Sequence, residues 1–154
     1  METPSLTRQA ITATLHCLTG CAIGEVLGMV LGTAFGWGNL ATIVLSVALA
    51  FLFGYALTLR SVLAAGLALG AAIPVTLAAD TASIATMEVV DNAVILAVPG
   101  AMEAGLTSAV FWLTLLFSLA VAFVVTVPVN RFLIARGRGH AVVHEHHTHH
   151  PAHH

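Results

Sequence analysis

Residues 11–36 read ITATLHCLTGCAIGEVLGMVLGTAFG, and Trp37-Gly38-Asn39 closes the run. Glu25 is its one acidic residue, and it has no arginine or lysine. At roughly 1.5 Å per residue a helix of this length outreaches the ~30 Å hydrocarbon core of a bilayer. Working outward, Leu40–Leu59 stops at Arg60, Ser61–Ala79 stops at Asp80, and Leu106–Val129 stops at Asn130-Arg131. Each of these runs is also long enough to span. Ile84–Val98 is apolar but shorter, carries Glu88 and Asp91, and ends at Pro99-Gly100. It reads as a half-buried helix that either continues the third span or folds back beside it. The expectation is an all-α integral membrane protein with four transmembrane helices plus one partial or re-entrant amphipathic helix.

Composition agrees. Of 154 residues, 58% are hydrophobic and 8% charged, against about 25% charged in soluble domains. A chain this small cannot clothe a soluble surface with so few charges. Five arginines and no lysine make no basic patch, which excludes nucleic acid as a partner and leaves the lipid bilayer. The first run lacks a small-x-small cleavage site and reads as a span, not a removed signal peptide. With four spans and an inside N-terminus, Arg8, Arg60, Arg131, Arg136 and Arg138 all fall on the cytoplasmic side. A fifth crossing at 84–98 would move the last three outside. The expected place is a bacterial inner membrane, with both termini cytoplasmic. The expected divisions are 1–10 as a cytoplasmic N-terminus, 11–131 as the helical transmembrane domain and 132–154 as a histidine-rich cytoplasmic tail.

Two stripes mark the first helix. Gly20, Gly24, Gly28, Gly32 and Gly36 recur every fourth residue, a ridge that lets another backbone approach closely. Gly66 and Gly70 offer a weaker echo and a candidate mate. Beside the ridge run Cys17, Cys21, Glu25 and Met29, preceded by His16. Cys17 sits about 60° from Gly20 around the helix, so both stripes face the bundle interior. A carboxyl within a span is costly and functional by default. Thiol, thioether and imidazole are soft or borderline ligands, which suit copper first and zinc second. From His16 to Met29 the ladder climbs roughly 20 Å, a geometry for successive transfer sites more than for one closed site.

A partner stripe lies in the ambiguous segment, where Asp80, Ile84, Met87, Glu88 and Asp91 share a helical face. Met102-Glu103 repeats the Met87-Glu88 dipeptide past the Pro-Gly break. These residues read as an acidic vestibule or second metal-ligand set facing the first helix. The end of the chain holds His140, His144, His146, His147, His149, His150, His153 and His154. Such a tract buffers borderline metals or responds to pH.

The strings His16–Met29 and Ala79–Asn92 resemble the signature of a bacterial integral-membrane family catalogued only as a domain of unknown function. The resemblance covers roughly residues 10–140 and implies a copper association, with no established activity. The combined expectation is transport or handling of a copper ion, with zinc the alternative. The path would be lined by the first helix and the acidic segment, in a homo-oligomer. No nucleotide motif appears, so movement would be passive or ion-coupled. A membrane redox subunit carrying copper or haem, or a copper-delivery assembly partner, are the rival readings.

Overall fold

The computed structural model describes residues 5–136, which form four helices: α1 (Leu6–Ala34), α2 (Asn39–Ala64), α3 (Leu69–Ala97) and α4 (Ala109–Ala135). The histidine tail lies outside the described residues. Ser5 caps α1 by accepting from Arg8 N at 3.2 Å, and Ser108 caps α4 by accepting from Val110 N at 3.2 Å. Gly36 and Gly66, at φ +66° and +102°, turn the chain after α1 and α2 in a region side chains disfavour.

Three helices, α1, α2 and α4, are long and apolar enough to cross a membrane. The fourth, α3, qualifies only as a bent pair, Leu69–Ala78 and Asp80–Ala97, with a 40° bend. The expected third span and the expected partial helix are therefore one element. The boundary read at Arg60 is also moved, because α2 continues to Ala64. An arginine near a helix end reaches polar surroundings along its own stem and does not stop the helix. The break falls at Gly66 instead. Pro74 lies inside α3, one turn before the bend, where its missing N–H leaves a carbonyl unpaired.

The glycine ridge of α1 packs on α2. A Cβ added at Gly20 would meet Gly54 Cα at 2.8 Å, one at Gly24 would meet Ala50 Cα at 2.5 Å, and one at Gly28 would meet Ser46 Cα at 2.6 Å. Gly32 faces the Thr42 side chain in the same way. The mate is thus the small-residue series Thr42, Ser46, Ala50 and Gly54 of α2. The expected mates fail: Gly66 lies in the α2–α3 turn and Gly70 has no atom within 4 Å of an added Cβ; the ridge itself stops at Gly32, because Gly36 belongs to the α1–α2 turn. What the close approach demands is smallness, not glycine on both sides.

The bundle is polar within and apolar without. Among the described residues, as many polar as apolar side chains are buried, while Leu52, Leu113, Leu116, Phe117 and Val124 stand exposed. On α4 the buried side is Thr114, Ser118, Ala122, Thr126 and Asn130, again every fourth residue. This is the sorting lipid imposes, since hydrocarbon outside gives leucine no reason to turn inward. Asn130 Nδ2 of α4 donates to Thr14 Oγ1 of α1 at 2.9 Å, and Thr14 donates in turn to Ala10 O at 2.7 Å.

Antiparallel connection through short turns brings the start of α1, the end of α2 and the end of α4 to one end of the bundle. Arg8, Arg60, Arg131 and Arg136 are all there, and all are exposed. The other end is formed by the end of α1, the start of α2, the end of α3 and the start of α4.

Candidate functional site

The acidic face of α3 turns inward as its spacing requires. Asp80 (1% exposed), Ile84 and Met87 (each fully buried), Glu88 (4%) and Asp91 (1%) are all buried. Glu25 of α1 is 5% exposed and meets this face from the opposite helix. The carboxyl groups of Glu25 and Asp91 lie close enough to share a hydrogen bond, with Glu88 beside them. Ser118 Oγ of α4 donates to Asp91 Oδ1 at 2.5 Å. Asn92 Nδ2 donates to Glu88 O at 2.9 Å and lies 3.4 Å from Glu88 Oε2. Glu25 Oε2, Glu88 Oε1 and Asp91 Oδ2 are buried with no protein hydrogen-bond donor. Buried oxygens of this kind are costly unless something else satisfies them.

Above the carboxyls opens a narrow cleft, at the end of the bundle away from the arginines. Glu25 and Asn92 line it on the carboxyl side, with Ser46 and Thr114 as further polar neighbours. Its apolar lining includes Met29, Ile95, Phe111 and Met102. The α3–α4 connection covers part of it, with Ala101 buried. Trp112 Nε1 donates to Leu106 O at 2.6 Å and pins that connection to α4. One chain encloses this cleft, so a homo-oligomer is not required to form one.

The remaining candidates divide. Cys17, Cys21 and Met87 are brought together, but in a packed cluster with Ala50, Ile84 and Ala122. Both cysteines are free thiols. His16 is half-buried on α1, one position before Cys17. Met29 and Met102 line the cleft, and Glu103 is exposed beside it. His140, His144, His146, His147, His149 and His150 lie outside the described residues.

Within the described residues the metal-binding, histidine-rich reading is overturned. Among the described residues no group of three or more His, Cys, Asp or Glu side chains is placed to hold a metal ion. The physical reason is the ladder itself: its rungs are spread along one helix, and the thiols pack on Ala50, Ile84, Met87 and Ala122, with the Glu88 carboxyl beside Cys21. Cys17 packs there as a small apolar side chain, while the Cys21 thiol also meets Glu88. His16 is the one histidine among the described residues.

Sequence reasoning missed Ser118, Ser46, Thr114 and Phe111. The period-four polar series within α2 and α4 was the available signal, since polar groups inside a span turn toward other helices.

The family model DUF4396, described as a domain of unknown function, matches residues 7–139. No curated protein and no solved structure matches.

Proposed function

The chain belongs to the DUF4396 family, a family of unknown function, and on the geometry above we propose that it passes a small cation, the proton first, through its helix bundle. The observation that carries this reading is the buried meeting of Glu25 with Glu88 and Asp91 beneath an open cleft. Three oxygens of that group have no protein donor. A hydrogen bond between two carboxyl groups holds a proton between them, and a carboxylate can accept that proton from one side and give it up on the other. Ionisable groups at this depth mark ion pathways and proton relays in membrane proteins.

Buried polar groups continue from the carboxyls toward the arginine end. Cys21 and Ser83 come next, then Asp80 and Thr126, then Thr14, Thr58, Thr76 and Asn130. Counted at 1.5 Å per residue, successive levels are separated by roughly one helical turn, about 5–6 Å. One water spans such a step when two or more polar groups bind it. The path is thus lined by the first helix and the acidic face of α3, with α2 and α4 supplying hydroxyls and an amide.

The test is proton movement in vesicles containing the purified chain and a trapped pH dye, driven by a potassium diffusion potential. The expected result is flux above that of protein-free vesicles, slowed at least about tenfold by Glu25→Gln, the scale of a lost hydrogen bond to a charged group. Glu103→Gln, on the exposed connection, should leave flux unchanged. Flux in Glu25→Gln equal to that of the parent overturns the path.

A further inference from the structure

The cleft joins unlike surfaces. On one side is Glu25, 95% buried in effect, with Oε2 facing no protein donor. Around it stand Met29, Ile95 and Phe111, hydrocarbon, thioether and aromatic surface. A hard inorganic cation such as Ca2+ or Mg2+ asks for six or more oxygen ligands, or keeps its waters. A wall of this composition supplies neither. An organic ammonium ion has other needs: one counter-charge, apolar contact for its alkyl groups and aromatic surface near the cationic centre.

We propose that the cleft binds a monovalent organic ammonium ion, with Glu25 as its counter-ion and Met29, Ile95 and Phe111 against its alkyl groups. Ser46, Asn92 and Thr114 border the same space and give hydrogen-bonding partners to a polar substituent. The inference names a substrate class for the path proposed above and rests on that reading in one respect, the availability of Glu25. The carboxyl that hands on a proton is the one that would hold the ammonium, so the two ions compete for it.

The experiment is calorimetric titration of the full chain in detergent with benzyltrimethylammonium chloride, against sodium chloride at equal ionic strength. Neopentylbenzene, of the same shape without the charge, is compared by its effect on thermal unfolding. One saturable site per chain is expected for the ammonium. Glu25→Gln should weaken it at least about tenfold, as expected when a charge-assisted contact is lost. That substitution should leave the neutral compound's effect unchanged. Ile95→Trp fills the cleft and keeps the charge, so it should abolish ammonium binding and covers the case of a Glu25→Gln chain that does not fold. Absence of saturable binding to the folded parent overturns the proposal, as does binding unchanged in both variants. Loss of this site with proton flux intact removes the ammonium alone. Binding with no flux removes the path and leaves the ammonium site standing.

Discussion

Ser118 of α4 donates its hydroxyl to Asp91 Oδ1 of α3 across 2.5 Å, and both side chains are buried. The same hydroxyl lies 2.8 Å from Leu115 O, the carbonyl one turn back in its own helix. A hydroxyl has one proton, so the two acceptors compete, and the charged one wins when Asp91 is ionised. This bond ties the acidic face of α3 to the helix that also lines the cleft.

Ser118→Ala should therefore destabilise the bundle by about 1–3 kcal/mol, the cost of leaving a buried acceptor without its donor. Thermal unfolding in detergent, run as a double-mutant cycle with Asp91→Ala, checks it. The loss should shrink sharply in the Asp91→Ala background. Equal losses in both backgrounds would show that Ser118 acts by packing alone.

Gly24→Ala and Gly70→Ala should behave oppositely. An added Cβ at Gly24 would lie 2.5 Å from Ala50 Cα, a backbone atom that cannot rotate away, whereas at Gly70 it meets nothing within 4 Å. Gly24→Ala should cost about 1–3 kcal/mol through overpacking. Gly70→Ala should be neutral or slightly stabilising, because alanine is the better helix former. Equal unfolding midpoints for the two variants would contradict the α1–α2 contact.

The ridge and the acidic face were legible because each is a period written along one helix. Gly20 to Gly32 every fourth residue marks a close approach, and Asp80, Glu88 and Asp91 fall on one side of α3 by arithmetic. Their partners were not legible. Glycine was matched to glycine, at Gly66 and Gly70, when Ser46 and Ala50 serve as well. The soft-metal reading failed for a related reason. Residue types on α1 name the chemistry available, but only the facing helices decide whether ligands converge, and there Cys17 and Cys21 meet Ala50 and Ala122, with Glu88 beside Cys21. The cleft depends on where the α3–α4 connection lies, and no periodicity encodes that. The single helix from Leu69 to Ala97 was one of two alternatives left open by an acidic, shortened apolar run.

The arginine end should face the cytoplasm. Arg8, Arg60, Arg131 and Arg136 gather there, while exposed Glu103 marks the opposite end. In a chain with Cys17 and Cys21 replaced by serine, a membrane-impermeant maleimide added to intact cells should label Glu103→Cys and spare Ala68→Cys in the α2–α3 turn. Both positions are exposed, so labelling reports the side of the membrane. Labelling of Ala68→Cys alone would invert the bundle and turn the cleft inward.

Trp112 controls the cover of the cleft more than the stability of the bundle. Its indole is 46% exposed, so its removal loses little burial. Its Nε1–H, however, donates to Leu106 O at 2.6 Å, six residues back along the chain. That bond fixes the connection that buries Ala101 and brings Met102 to the cleft. Phe keeps the ring and removes the donor. Trp112→Phe should therefore change the unfolding midpoint little while raising amide hydrogen exchange across residues 98–108. Exchange in the central turns of α1 and α2 should stay as in the parent. Unchanged exchange over 98–108 would mean that the connection is held by Ala101 burial alone. Faster exchange throughout would mean that Trp112 holds the bundle itself together.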